Sequence, residues 1–378
     1  MRYVIIGAGA VGGTIGVRLT EAGHDVTLVA RGPHLAAIRA HGLTLTTPDG
    51  EYTARLPAVG DPASADPASA GSTSAGSTSA DAASAGQASV GAAASEPVGG
   101  DASRNGAAGL RLTPDTVLIL AVKSQDTEAA LRSWADLPVV GGGTAAQRLP
   151  LLTAQNGVAN ERAAARLFDR VYPVTVWLPA THLEPGRVVA NGHPYSGMLH
   201  LGVFPSGTDE TAEQIGADLV ASRILAPVRA DAMRWKYGKL LRNLGNGIEA
   251  LFGRSAGAGP APHADLFEAV RVEGEAVLTA AGISYTSGAE EAAERGDQVQ
   301  AVPVGGGQRQ GGSTWQSLAR DAGSAETDYL NGEIVLLGRL HGVPTPVNAA
   351  VQRAVRRAVR ERIPAGGFPR AELDVLLR

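Results

Sequence analysis

A short apolar run, YVII, breaks at the seventh residue into Gly7, Gly9 and Gly12 in the pattern G-x-G-x-x-G, and the helix-like TIGVRL follows at once. That setting of strand, glycine turn and helix constrains the fold more than any other stretch. The first glycine permits a tight turn and the second, followed by Ala10 and Val11, lets the backbone approach a pyrophosphate. The third lets the helix pack on the strand, and the helix N-terminus offers its amides to the anion. HDVTLVAR then reads as a second buried strand, completing a βαβ unit. TVLILAVKS, DTEAALRSW and LPLLTAQNG repeat the alternation of strand and helix, which predicts an α/β fold, a doubly wound parallel sheet of Rossmann type. Between Tyr172 and Pro205, alternation around Pro-Gly and Asn-Gly turns predicts added strands and hairpins. From about Thr208 the period is helical to the C-terminus, so the expected division is a dinucleotide-binding domain over 1–207 and an all-helical substrate and dimerisation domain over 208–378.

Residues 61–109 fit neither domain. Ala, Ser, Gly, Thr, Asp and Pro dominate, DPASA and GSTSA each occur twice in tandem, and no aromatic, Leu or Ile occurs. Such a segment buries too little surface to offset the entropy of ordering it and reads as a disordered insertion. Elsewhere composition excludes more than it proposes. A formal charge of -4 without a basic stripe argues against nucleic acid. The absence of cysteine removes disulfides, thiolate metal sites and thiol nucleophiles. The eight histidines form no H-E-x-x-H or other close pair, so no metal is expected, and there is no G-x-S-x-G elbow. No apolar run approaches a membrane span and the N-terminus is unlike a signal peptide, which leaves a cytoplasmic protein.

At the end of the second strand a NAD site carries Asp or Glu for the ribose hydroxyls; here Ala30 and Arg31 stand instead, and an arginine suits a 2′-phosphate. NADPH is therefore the expected cofactor, with Arg39 as a surface charge further along. Lysine is rare, occurring only at Lys123, Lys236 and Lys239 in a chain with 33 Lys and Arg residues together. Unlike arginine, lysine readily gives up its proton in a suitable site. On a helical wheel Lys239, Asn243 and Asn246 share one face, with Lys236 at its edge. A cation and two amides facing a cofactor suit a carbonyl oxygen on which negative charge develops.

IIGAGAVGG, RGPHLAAIRAHGL, AVKSQDTEAAL, QNGVAN, WKYGKLLRN and the stretch from Ser313 to Asn348 (STWQSLARDAGSAETDYLNGEIVLLGRLHGVPTPVN) resemble ketopantoate reductases (2-dehydropantoate 2-reductases) across the chain outside the insertion. The resemblance implies NADPH-dependent reduction of a small branched 2-oxo acid in a cleft between the two domains. It implies Lys239 as general acid, Asn243 as substrate ligand, Glu326 as the acid that holds a substrate hydroxyl and orients the lysine, and Thr314, with Ser313 beside it, as the hydroxyl for the substrate carboxylate. Lys123 and Asn156 match its cofactor positions. The family's second asparagine would fall on Gly247, where this chain offers Asn246 one residue earlier. Lys236 is a rival acid; with Arg242 it would also repel charge on Lys239 and ease release of its proton. A reductase for another 2-oxo acid or ketone and a non-catalytic NADP-binding protein are the competing readings. Trp235 and Trp315 read as packing residues, and monomer and homodimer stay open.

Overall fold

In the computed structural model, which describes residues 1–60, 62, 110–253, 263–304, 311–321 and 323–377, the central strands of the first domain are apolar on both faces. In chain order its elements are β1 (Arg2–Ile6), α1 (Ala10–Glu21), β2 (Asp25–Val29), α2 (Gly32–His41), β3 (Leu43–Thr47), β4 (Gly50–Ala54), β5 (Ala58–Val59) and β6 (Thr116–Leu120). They continue with α3 (Thr127–Ala135), α4 (Ala145–Arg148), β7 (Leu151–Thr153), α5 (Asn160–Ala164), β8 (Val171–Trp177), β9 (Ala180–Thr181), β10 (Arg187–Ala190), β11 (Gly192–Pro194), β12 (Met198–Leu201) and α6 (Glu210–Ala221).

A seven-stranded sheet runs β12-β8-β7-β6-β1-β2-β5, parallel except for β12, which pairs antiparallel with β8. Because side chains alternate along a strand, Tyr3 and Ile5 enter one core with Ile15 and Leu19 of α1 and Ile215 and Leu219 of α6. Val4 and Ile6 enter the other, with Leu131 and Trp134 of α3. Helices on both faces are what make near-continuous apolar strands tolerable. The Tyr172–Pro205 segment supplies β8 and β12 to this sheet, while β9 and β10 join β3 and β4 in a second, four-stranded one.

The second domain comprises α7 (Ala232–Asn243), α8 (Asn246–Phe252), α9 (Ala264–Ala280), α10 (Gly288–Arg295), the short strand β13 (Val299–Ala301), α11 (Ser313–Ala319), α12 (Asn331–His341), α13 (Pro346–Arg360) and α14 (Arg370–Leu376). Its core gathers Leu240, Leu244, Ile248, Val270, Ile334, Val351 and Val355. Two differences from the sequence reading stand out. The helical period from Thr208 belongs at first to α6, whose apolar face packs on the sheet, so the helical core begins only at α7. β13 also pairs with β11, so the second domain is not purely helical. Residues 61–109, read as a disordered insertion, fall outside the described residues except Pro62.

Trp235 of α7 packs at the junction of the two domains, stacked on His200 of β12 with ring centres 4.1 Å apart. Burial lowers the His200 pKa to about 4, so the stacked ring is neutral near pH 7.

Candidate active site

The strand order reverses between β1 and β6, and in open α/β sheets ligands bind outside the carboxyl ends of the strands at such a point. Residues leaving β1, β2, β6, β7 and β8 form one wall of a cavity of about 890 Å3, and α7, α8, α11 and the loop after α10 face them.

The three glycines of the first turn are there for different reasons. Gly7 has φ +106°, and a methyl group on it would lie 2.8 Å from the Val122 nitrogen. A methyl on Gly12 would collide with the Gly7 carbonyl. One on Gly9 would meet nothing within 4 Å, although Gly9 lines the cavity. Packing of the chain thus demands Gly7 and Gly12 but not Gly9, which fits a backbone left bare for a ligand's close approach. α1 begins at Ala10 with no acidic residue in its first turn and no side-chain cap, so its leading amides are available to an anion. A dinucleotide fits these residues. Gly9→Ala is expected to leave the melting temperature unchanged and to weaken dinucleotide binding by about 10- to 100-fold, the worth of one or two hydrogen bonds to a charged group. Thermal melts beside a fluorescence titration with NADPH check both halves.

His34 braces this turn from behind. Its Nδ1 accepts from the Gly186 amide at 2.9 Å, so Nε2 carries the proton and donates to the Ala8 carbonyl at 2.7 Å. Burial lowers its pKa, in keeping with that neutral tautomer. Arg31 lines the cavity from the N-cap of α2 with its side chain 63% exposed, and its Nη2 lies 3.6 Å from Asp126 Oδ2. Such an exposed pair is weak and yields readily to another anion. Arg39 lies apart, donating to the Ala58 carbonyl.

Lys123, after β6, meets Glu326 across the cleft at 2.7 Å. The other Glu326 oxygen accepts from the amide and hydroxyl of Ser124, both at 3.2 Å. Glu326, expected to orient Lys239, is paired in this structure with Lys123. Asn156 lines the cavity, and its carbonyl accepts from Ser124 Oγ and Asn160 Nδ2.

On the opposite wall stand Lys239, Asn243 and Asn246. The Lys239 ammonium lies 3.8 Å from the centre of the Trp177 ring. Asn243 is buried, and its Nδ2 has no hydrogen-bond partner among the described residues. The helix that carries this motif is divided, α7 ending at Asn243 and α8 starting at Asn246, but Leu244 and Gly245 between them keep right-handed helical dihedrals. Asn331 donates to the Leu244 carbonyl there at 3.1 Å, and to the Asn348 side-chain oxygen at 3.0 Å. All three polar residues still reach the cavity.

Lys236 does not. It is 2% exposed and pairs with the fully buried Glu161 at 2.7 Å, while its remaining protons go to the carbonyls of Gln155 and Val174. A lysine committed in this way is neither a rival proton donor nor an uncompensated charge on Lys239. The cations that share the Trp177 ring with Lys239 are Arg242 and Arg295. Of the two hydroxyls proposed for the carboxylate, Ser313 lines the cavity; Thr314 is buried outside the lining. The sequence reading overlooked Trp177, Arg295, Ser124, Glu161 and Asn331. Only Trp177, closing an apolar strand at the sheet's carboxyl edge, carried a local signal. No group of three or more His, Cys, Asp or Glu among the described residues is arranged to hold a metal.

The family model described as "Ketopantoate reductase PanE/ApbA" matches residues 3–206, and that described as "Ketopantoate reductase PanE/ApbA C terminal" matches 231–359. The chain belongs to the ketopantoate reductase family. A 2-dehydropantoate 2-reductase of Pyrococcus horikoshii is 25% identical over 92% of this chain and 94% of its own. The solved PanE/ApbA family ketopantoate reductase of Ralstonia eutropha superposes with TM-score 0.67 and 25% identity, covering 96% of this chain and 99% of that one. A D-mandelate dehydrogenase solved with NADH and anilino(oxo)acetate shares the fold, at TM-score 0.69 and 19% identity, over 96% of this chain and 99% of that one. As a family member the chain is an oxidoreductase with a Rossmann domain, and no helix among the described residues is long and apolar enough to cross a membrane.

Proposed function

We propose that this ketopantoate reductase family member reduces 2-dehydropantoate to (R)-pantoate with NADPH. The observation that carries the reading is one cavity with the bare Gly9 backbone and the α1 amides on one wall and the Lys239 ammonium and the orphan Asn243 amide on the other. A nicotinamide bound on the first wall would supply the hydride. On the opposite wall, Lys239 gives a proton to the substrate's carbonyl oxygen as negative charge develops there, and Asn243 Nδ2 donates a hydrogen bond that holds that oxygen in place. Ser313, whose buried hydroxyl lacks a partner among the described residues, supplies a donor to the substrate. Glu326 keeps Lys123 and Ser124 in register across the cleft, and Arg31 exchanges Asp126 for a 2′-phosphate. The relatives' names support the substrate.

A second reading, a different 2-oxo acid, is favoured by Trp177, whose flat ring borders the substrate end of the cavity. The test is NADPH oxidation with 2-dehydropantoate, 2-oxoisovalerate and phenylglyoxylate. A kcat/KM highest for 2-dehydropantoate supports the first reading; a preference for phenylglyoxylate transfers the assignment to the second. In the same assay Arg31→Ala is expected to raise KM for NADPH by about tenfold while leaving that for NADH unchanged, the effect of losing one charge-assisted contact to phosphate.

A further inference from the structure

At the substrate end of the cavity three cations converge on one indole. Lys239 Nζ is 3.8 Å, Arg295 Cζ 4.2 Å and Arg242 Cζ 4.5 Å from the Trp177 ring centre. Arg242 is balanced: its Nε and Nη2 reach Glu291 Oε2 at 3.0 and 2.9 Å. The other Glu291 oxygen accepts from the Thr286 hydroxyl. Both oxygens of Glu291 are therefore engaged. Arg295, in the last turn of α10, lines the cavity, and its Nη1 is buried with no hydrogen-bond partner among the described residues. Burial and the charge of Arg242 lower the Arg295 pKa, and the charge of Glu291 opposes them only in part. A buried guanidinium nitrogen without an acceptor is costly to the fold, and a planar fork is the side chain best matched to a carboxylate.

We infer that Arg295, seated on Trp177, binds the carboxylate of the 2-oxo acid and so sets the enzyme's preference for anionic carbonyl substrates. Lys239 and Arg295 both lie close to the Trp177 ring and both line the cavity, an arrangement that offers the lysine to the carbonyl of a small oxo acid and the arginine to its carboxylate. Ser313, on α11, then contacts another part of the substrate. The inference rests on the reductase reading above and deepens it.

The experiment pairs the best 2-oxo acid substrate with its methyl ester, for the wild-type chain, Arg295→Gln and Arg295→Lys. Arg295→Gln is expected to raise KM for the acid by about 10- to 100-fold, the worth of charge-assisted hydrogen bonding, with kcat for the acid little changed. The ester, which brings no charge, is expected to keep its kcat/KM within about threefold, and Arg295→Lys to restore part of the acid's loss. Equal losses for acid and ester, or wild-type behaviour of Arg295→Gln, overturn the inference. Calorimetric titration with oxamate in the presence of NADPH gives a readout independent of turnover. Should the wild type reduce no oxo acid, the reductase reading fails, yet oxamate binding by wild type weakened at least tenfold in Arg295→Gln still upholds the arginine's role; equal binding, or none by either, overturns it.

Discussion

Lys239→Ala is expected to lower kcat for carbonyl reduction by about two to four powers of ten, the usual contribution of a positioned general acid. kcat/KM should fall by a similar factor, since the proton is transferred only as the transition state forms. Lys239→Arg is not expected to rescue, because a guanidinium keeps its proton. The ammonium's contact with the Trp177 ring contributes about 1 kcal/mol to stability, so a fall in kcat of this size is expected from a folded protein. Rapid-mixing measurement of NADPH oxidation, with thermal melts on the same preparations, separates the two effects. A variant with wild-type kcat would remove Lys239 from the chemistry.

The second large effect concerns Lys236, three residues earlier. Its ion pair with Glu161 lies wholly inside the protein and joins α7 to α5, the carbonyls of Gln155 and Val174 completing the ammonium's partners. Glu161 Oε1 also accepts from Thr153 Oγ1 at 2.6 Å, while its Oε2 is buried without a partner among the described residues. Removing one member leaves the other as an unmatched buried charge, so Lys236→Met and Glu161→Leu are each expected to cost about 3–5 kcal/mol. The double variant should recover most of that loss, because a well-packed apolar pair often replaces a buried ion pair at little cost. Urea unfolding of the four proteins completes the cycle. Additive losses in the double variant would show that the two side chains act independently. Because the pair fixes the helix carrying Lys239 against the sheet, the single variants should also lose turnover below their melting transitions, whereas the double variant should regain it only if packing alone positions α7.

Local pattern made a large part of the fold legible. Strands buried on both faces read as apolar runs, and the Gly7 and Gly12 positions announce their own steric demands. The helical period misled at Thr208, because an amphipathic helix covering a sheet has the same spacing as one in a helical bundle; only the core into which Ile215 and Leu219 pack distinguishes them. The wheel drawn through Lys239, Asn243 and Asn246 assumed one uninterrupted helix. Leu244 and Gly245 keep helical dihedrals, so the shared face survives the division after Asn243, and the Leu244 carbonyl accepts from Asn331, 87 residues further on.

By itself the sequence determined the dinucleotide-type turn, the parallel sheet and the scarcity of lysine at three positions, since these depend on near neighbours and on composition. Tertiary structure decided which polar groups meet. It set Lys236 against Glu161, gave Glu326 to Lys123 across 203 residues of chain, turned Ser313 rather than Thr314 to the cavity, and gathered Arg242 and Arg295 on Trp177. Spacing along a helix or strand fixes the face on which a side chain lies. The charge or ring waiting opposite is fixed only when the two domains close on each other, and at this cavity that choice separates a structural lysine from the one proposed to move a proton.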